Sequence, residues 1–451
     1  MSTAVRSNDI GEKIIEEYLE LFNLHSFKNQ LYGKISLHVI LGQLLSKSND
    51  GIGGIYYKQG AREIDPRVHL LLIKPQGTGK GAGYGFVERT SRALGLDFQS
   101  LTESTDAGLV GTLQDNEIVP GLLQSADVVG MEEASVLFDY ASDFSRKNMT
   151  YMQITMNALE DSSCNITKKL GTETIEFKPH ASFVLMTYPP DKLVDKLLKT
   201  GFIDRVIPIF EDVTLIDRLE IIEIMLKNIN VTDKESFKKK FDELIKKIKN
   251  IEDKYRTVRK KIDIPEEMHK VIFRIISEFA NKVQAASPKA REKLEHFVTR
   301  LHETLLKLAI HHAVLCRRET VEMSDVLYAR LLYIPIWRNL IISIESLLII
   351  SPQERARKHR IIKTALDEYD KQMKKREFVK NKVWVRRTTM LENLQPLWDN
   401  CSLETADNNL MKLEKSPELE YSKISKYERD KFFERKMIGH SAYLKKIKDI
   451  K

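Results

Sequence analysis

Between Leu70 and about Asp212, short apolar runs alternate with segments whose apolar residues recur at helical spacing. Uninterrupted apolar runs of about four to eight residues are typical of buried strands, whereas a spacing of about three or four residues predicts amphipathic helices. Strands that alternate with helices indicate a parallel sheet with helices packed on its faces. The pattern therefore predicts an α/β domain over residues 61–215.

Helical patterns lie on either side of this domain. Residues 1–60 repeat apolar residues at helical spacing, as in Gly11–Phe22, and predict an N-terminal helical segment. Residues 216–350 predict a further helical region. Between about Ile216 and Lys261 its composition shifts to Lys, Glu and Ile, which predicts either a solvated amphipathic helix or a short coiled coil inserted before the later lid helices. The apolar run 331–350 contains Pro335 and charged residues, so we expect a buried helix there and not a membrane span.

The C-terminal part, residues 351–451, has the pattern of a separate basic domain that begins with a linker at Ser351. Two predicted short helices joined by Asp399–Cys401 resemble a helix-turn-helix, and Leu419–Ile424 predicts a wing strand. We therefore expect a small winged-helix-like α domain that binds DNA. Residues 426–451 are basic, and we expect them to fray or to bind phosphate without sequence specificity.

Charge and cysteine content narrow the class of protein. The chain has 72 basic and 64 acidic residues and a formal net charge of +8, with the basic excess concentrated near the C-terminus. Cys164, Cys316 and Cys401 lie far apart, which disfavours a zinc ribbon and a disulfide scaffold and fits a reducing cytoplasm. The N-terminal residues show no apolar signal core. We expect a cytoplasmic protein with no membrane partner.

A glycine-rich turn follows the apolar run Val68–Ile73 and precedes helical sequence from about Phe86. This order is the context of a phosphate-binding P-loop, in which backbone N–H groups surround phosphate oxygens. Two positions depart from the usual pattern, since Lys74 replaces the first glycine and Gly81 replaces the hydroxyl residue that binds Mg²⁺. A glycine turn without a ligand is the alternative. The predicted nucleotide-binding residues are Pro75, Gln76, Gly77, Thr78, Gly79, Lys80, Gly81 and Ala82.

Polar residues end two other predicted strands. Glu132 and Glu133 follow Ala126–Met131, and acids at the carboxyl end of a parallel strand lie near the P-loop in nucleotide-binding sheets. We expect Glu132 to hold Mg²⁺, directly or through water, and Glu133 to polarise the attacking water. A solvated acidic turn is the alternative. Thr187 ends a later strand, predicted next to the P-loop strand, and could bind the γ-phosphate or orient the water.

A β-hairpin is predicted over Cys164–Phe177, with Lys168 and Lys169 near its tip. Lysines in such a turn are commonly solvated charges, but in the pore of a ring they would be placed to grip a phosphate backbone. Arg205 precedes the last apolar run and is either a salt-bridge partner or a group that acts on a nucleotide.

The order of these parts resembles the AAA+ ATPases of the pre-sensor-1 hairpin clade, and in particular the MCM replicative helicases and the MCM-like proteins of archaeal plasmids and viruses. Residues 74–80 are similar to the family's Walker A, and Thr105–Leu113 resembles the segment that follows it. Met156–Glu160 resembles the helix ahead of the pore hairpin, and Gly201–Val206 resembles the box that carries the arginine finger. The resemblance extends over residues 60–215 and, loosely, over a later part of the chain.

This resemblance implies an AAA+ P-loop sheet with a helical lid, assembled as a homohexameric ring that uses ATP and Mg²⁺ and binds DNA. It implies that Glu132 and Glu133 are the Walker B acid and the catalytic glutamate. It implies the sensor-1 position for Thr187, where the family usually has Asn. Arg205 would be an arginine finger that reaches a neighbour's γ-phosphate, and Arg300 in the lid would be the sensor-2 arginine.

Two departures leave the function open. The family's N-terminal collar, with its zinc ribbon, is not predicted here, and Gly81 leaves the Mg²⁺ hydroxyl to a water or to Thr78. Our main expectation is an ATP-driven DNA helicase or translocase for replication of a mobile element. The alternatives are an ATP-switched initiator or helicase loader that does not unwind DNA, and a regulator with a degenerate P-loop. Retention of Lys80, Glu132 and Glu133 argues against the last.

Overall fold

The chain folds into two compact units, Met1–Leu348 and Ile349–Lys451, as seen in a computed structural model. The boundary falls at the linker that the composition predicts, and the first unit contains all three of the N-terminal divisions expected from the sequence. The structure describes residues 2–26, 29–46, 54–101, 106–114, 117–134, 150–156, 166–170, 173–188, 201–211, 213, 215–228, 234–348, 364–372, 385–397, 406, 410, 414–415, 433–438 and 441–446.

In its described residues, the first unit combines a central sheet with many helices and three smaller sheets. A short 3₁₀ turn, Ile203–Arg205, precedes its last central strand. In chain order the elements are α1 (Ser2–Asn23), α2 (Gln30–Ser46), β1 (Ile55–Gln59), β2 (Arg62–Ile64), β3 (Leu70–Ile73), α3 (Lys80–Ala93), β4 (Phe98–Ser100), α4 (Asp106–Val110), β5 (Gly111–Gln114), β6 (Glu117–Pro120), α5 (Leu122–Ser125), β7 (Val128–Met131), β8 (Ile166–Leu170), β9 (Glu173–Phe177), β10 (Ser182–Thr187), β11 (Ile207–Phe210), α6 (Leu215–Asn228), α7 (Lys234–Glu252), β12 (Lys260–Lys261), α8 (Glu266–Ala285), α9 (Pro288–Leu315) and α10 (Met323–Leu348).

The central sheet has five parallel strands in the order β11-β3-β10-β7-β4. Every residue of β3, β7, β10 and β11 is buried, because helices cover both faces, and this is why these strands appear in the sequence as apolar runs. All carboxyl ends lie at one edge. Since β10 pairs with β3, the predicted position of Thr187 next to the P-loop strand is confirmed. The strand that ends before Glu132 is one place further away.

The helix after the P-loop begins at Lys80, earlier than the expected Phe86. Gly81, Gly83 and Gly85 lie in its first two turns, and glycine is a poor helix former, so the sequence pattern conceals the true start. The hairpin predicted over Cys164–Phe177 is confirmed as β8 and β9.

The N-terminal helices belong to the core of the first unit. α2 is buried on all sides and packs against the central sheet, α1 and α9, which explains its apolar composition around the whole helix. α7, in the region for which the sequence left two interpretations, is an amphipathic helix that packs on α1. Its buried residues are Phe241, Leu244, Ile245, Ile248 and Ile251.

In the described part of the region expected to form a lid, three long helices, α8, α9 and α10, pack on one another. The apolar run 331–350 lies largely in α10, where Pro335 is inside the helix and Trp337 is fully buried. Among the described residues, no helix combines the length and the apolar character needed to cross a bilayer.

The second unit is mixed α/β, and not the α domain expected. Residues 364–372 are helical, and the four-stranded sheet has the order β13-β16-β15-β14. Of the two alternatives for residues 426–451, fraying is wrong for residues 433–438 and 441–446, which pair as antiparallel strands, and phosphate binding stays a prediction. The predicted wing strand at 419–424 lies outside the described residues. The named elements are β13 (Val385–Arg386), α11 (Arg387–Leu397), β14 (Glu414–Lys415), β15 (Phe433–Ile438) and β16 (Ser441–Lys446).

A buried hydrogen-bonded chain joins α2 to the lid helices. His311 Nε2 lies 2.9 Å from the Pro66 carbonyl and must donate to it, which leaves Nδ1 to accept from His38 Nδ1 at 3.2 Å. His38 Nε2 then accepts from the Tyr328 hydroxyl at 2.9 Å. Both imidazoles are neutral in this arrangement. Burial lowers the pKa of His311 to about 3 and that of His38 well below its usual value.

Acid is expected to destabilise the first unit through this pair. A histidine with a lowered pKa contributes stability that is complete above the unfolded value of about 6.5 and is lost as the pH falls. For His311 the free energy of unfolding should fall by up to about 1.4 kcal/mol per pH unit below that value. Urea denaturation of the wild type and of His311→Gln should show a shallower pH dependence in the variant. His269→Gln, an exposed site on α8, should keep the wild-type slope, and an equal slope in His311→Gln would contradict the neutral pair.

Candidate nucleotide-binding site

The turn between β3 and α3 has the backbone of an anion-binding loop. Gly77 and Gly79 adopt φ angles of 71° and 77°, in the left-handed region that glycine enters without strain. The first helical bond runs from Gly83 N to Gly79 O at 3.1 Å, so the N–H groups of the preceding residues are not used within the helix. Such N–H groups and the helix N-terminus favour a bound phosphate.

Lys80 is held above this turn by backbone oxygens and an aromatic ring. Its Nζ donates to Lys74 O at 2.7 Å and to Thr187 O at 3.1 Å, and it lies 3.8 Å from the ring centroid of Tyr188. Burial, with a smaller effect of the Lys74 charge, lowers the pKa of Lys80 to about 8. A phosphate would restore the usual pKa by supplying negative charge, so the arrangement favours an anionic ligand.

Side chains that are distant in sequence form hydrogen bonds with the turn and its flanking residues. Ser26 Oγ donates to Gly79 O at 2.8 Å, and Asn29 Nδ2 donates to Thr78 O at 3.1 Å. The buried Lys74 ammonium bonds Asn29 Oδ1 and forms an ion pair with Glu211 Oε2 at 2.6 Å. The residue that departs from the usual P-loop pattern therefore ties the turn to the end of β11 and to the connection between α1 and α2.

Gly81 and Glu132 lie next to each other at the beginning of α3. A Cβ added at Gly81 would lie 3.4 Å from Glu132 Oε1, so the missing hydroxyl and the acid belong to one place. The Thr78 hydroxyl is not directed there, because it donates to Pro75 O at 2.8 Å within the turn. The carboxylate of Glu132 fits Mg²⁺, a hard cation that binds through one or two carboxylates and keeps several waters.

The remaining polar groups of this edge meet around Tyr188. Its hydroxyl lies 3.5 Å from Glu133 Oε1, and its ring lies beneath the Lys80 ammonium. Thr187 is fully buried, and its hydroxyl donates to Tyr188 O at 3.4 Å. Lys80, Gly81, Glu132 and Glu133 therefore lie together at this edge, and Thr187 contacts Lys80 through its backbone oxygen. The sequence pattern alone does not identify Tyr188 as part of this group of residues, although its position directly after Thr187 at a strand end is a signal for it.

Arg205 and Arg300 lie elsewhere. Ile207 pairs with Leu70 at the amino end of β3, and Arg205 precedes Ile207, so it lies at the edge of the sheet opposite the P-loop. The four residues of β3 separate the two edges by roughly 13 Å. Arg205 Nη1 donates to Gly201 O at 2.5 Å. Burial and the nearby charge of Arg300 lower the pKa of Arg205.

The two hairpins β5–β6 and β8–β9 expose different kinds of side chain. Lys168 is half-buried and donates to Gly111 O at 3.0 Å, so it joins the β8–β9 hairpin to β5 and is not a tip residue directed outward. Lys169 is exposed. The antiparallel β5–β6 pair was not predicted, and it exposes Ile118 and Val119 to solvent.

A hydroxyl restored at position 81 should strengthen Mg²⁺ binding. We expect Gly81→Ser to lower the Mg²⁺ concentration needed for half-maximal binding of a fluorescent ADP by roughly fivefold, as one added oxygen ligand worth about 1 kcal/mol would. Gly85→Ser in the same helix is the matched control, because a Cβ there meets nothing within 4 Å. An identical response of the two variants would show that Gly81 does not face the cation.

Comparisons with known proteins add no evidence for or against a nucleotide-binding site. No protein-family model matches the chain, and no curated protein matches it at a significant level. The parallel sheet, the glycine turn and the groups around Lys80 therefore carry the functional argument.

Proposed function

We propose that this chain is an ATP-driven DNA translocase or helicase that acts as a ring oligomer, similar to the MCM proteins. One observation carries the proposal: Lys80, Glu132 and Glu133 converge at one edge of the central sheet, while Arg205 lies at the opposite edge. Each edge would therefore supply some of the functional groups that phosphoryl transfer requires. A second copy of the chain would complete the site by placing its Arg205 edge against the P-loop edge.

The strand order supports an ATPase of the AAA+ type. β10 separates the P-loop strand from the acidic strand, and its polar end, Thr187 and Tyr188, lies next to both. A group at this position can orient a water molecule between a terminal phosphate and Glu133. The AAA+ ATPases that the sequence resembles have a polar residue at this strand end.

The chemistry follows from the positions of the side chains. Lys80 would bind the outer phosphates of ATP, and the N-terminal turn of α3 the inner ones. Glu132 would hold Mg²⁺, which would offset the negative charge of the phosphate groups. Glu133 would accept the proton of a water that attacks the γ-phosphorus, with ADP as the leaving group. Arg205 of a neighbouring copy would stabilise the charge that develops on the transferred group.

DNA contacts are proposed at two places. The exposed Lys169 lies on the β8–β9 hairpin, where a strand passing through a ring would meet it. In the second unit the antiparallel β15–β16 hairpin pairs with β13 and follows helical residues, an arrangement that fits a winged helix. That hairpin is basic, with Arg435, Lys436, Lys445 and Lys446 in its strands.

A second function, an ATP-switched replication initiator or helicase loader, is favoured by one observation. Gly81 offers no hydroxyl to Mg²⁺, and the Thr78 hydroxyl is engaged with Pro75 O. Slow turnover would then let the nucleotide act as an assembly signal. Displacement of a labelled strand from a forked duplex distinguishes the helicase, which unwinds it, from the loader, which does not.

We expect ATP hydrolysis that single-stranded DNA stimulates. Lys80→Ala should abolish turnover, and Glu133→Gln should abolish it while retaining ATP binding, because only the activation of water is lost. Lys169→Ala should reduce the stimulation by DNA and leave basal turnover unchanged. Lys178→Ala, an exposed lysine just after β9, is the matched control and should behave as the wild type. Wild-type turnover no higher than that of Lys80→Ala would contradict the ATPase proposal.

A further inference from the structure

The guanidinium group of Arg218 contacts the first part of the P-loop turn, at Gln76 and Gly77. Arg218 Nη1 donates to Gln76 O at 2.8 Å, and a Cβ added at Gly77 would lie 3.5 Å from the same nitrogen. This bond uses one of the five N–H donors of the side chain. Arg218 is on α6, the first helix after β11, and no feature of the sequence singles it out.

The contact between Arg218 and Gln76 lies at the part of the turn where the terminal phosphate of a bound nucleotide would lie. The first turn of α3 is placed to bind inner phosphates, whereas the Lys80 ammonium is directed back to Lys74 O at the beginning of the turn. Gln76 and Gly77 belong to that same beginning. Arg218 therefore approaches the turn near the groups that would surround a terminal phosphate, and it belongs to the same chain as Lys80.

α6 buries few of the side chains that the structure describes. Ile221 is its one buried residue among the side chains that the structure describes, while Ile216, Leu219 and Leu226 are 68%, 58% and 63% exposed. The helix also borders a cavity of about 400 Å³. The cavity is lined by residues that include Lys74, Glu211, Asp217, Ile221, Asn339 and Ser343.

We propose that Arg218 distinguishes a nucleoside triphosphate from a diphosphate at the P-loop of its own chain. With a diphosphate, the guanidinium stays on Gln76 O. With a triphosphate, it binds the γ-phosphate through charge-assisted hydrogen bonds, and α6 follows it towards the turn. Arg218 is then a specificity-determining residue whose contact reports the γ-phosphate to the lid. The inference rests on the proposed nucleotide site and extends it.

Calorimetric titration with ATPγS and with ADP, each with Mg²⁺ and without DNA, tests the assignment. Arg218→Ala should weaken ATPγS binding by about tenfold and ADP binding by less than about twofold, since a lost charge-assisted bond affects only the ligand that makes it. Arg218→Lys should fall between, because an ammonium supplies the charge without the fork of donors. Arg274→Ala, an exposed arginine on α8, should change neither affinity.

The ADP affinity is the internal control for folding of each variant. Equal weakening of both ligands by Arg218→Ala would show that the residue only supports the loop, and unchanged affinities would show that it contacts no phosphate. Either result overturns the inference while the proposed function stands. A wild type that binds neither ligand overturns both.

Discussion

The buried ammonium of Lys74 is the interaction on which the P-loop edge depends. It bonds Glu211 at the end of β11 and Asn29 after α1, and its own carbonyl accepts from Lys80. The glycine usual at this position could make none of the side-chain bonds. Removing one partner of a buried ion pair costs about 3–5 kcal/mol, so the three chain segments keep one relative position. The conformation of the turn is thereby fixed by the chain itself.

The arrangement of the sheet accounts for what the sequence could and could not predict. Buried parallel strands are apolar runs, so β3, β7, β10 and β11 are visible in the sequence, and so are the polar residues at their ends. The contacts that distant segments make with the glycine turn are not visible in the sequence, because Ser26, Asn29 and Arg218 reach it from 53, 49 and 142 residues away. Nothing in their local sequence reports such contacts. The β15–β16 hairpin was missed because its strands are charged and lack an apolar run.

A parallel sheet also separates the two halves of the proposed site. Groups that follow the strands collect at the carboxyl edge, and groups that precede them collect at the amino edge, where Arg205 lies with Arg300. Partial burial makes the Arg205 charge less favourable in the isolated chain. Under the proposed function, a phosphate bound to another copy would compensate that loss, and nucleotide binding and subunit contact would support each other.

The most direct test of this account is ATP hydrolysis by a mixture of Lys80→Ala and Arg205→Ala chains. Each variant alone should be inactive, because every site lacks either the lysine or the arginine. An equal mixture should recover about a quarter of wild-type turnover, since random assembly unites an intact Lys80 with a neighbour's intact Arg205 at about one interface in four. A mixture as inactive as its parents, or an Arg205→Ala chain with wild-type turnover, would contradict a site shared between two copies.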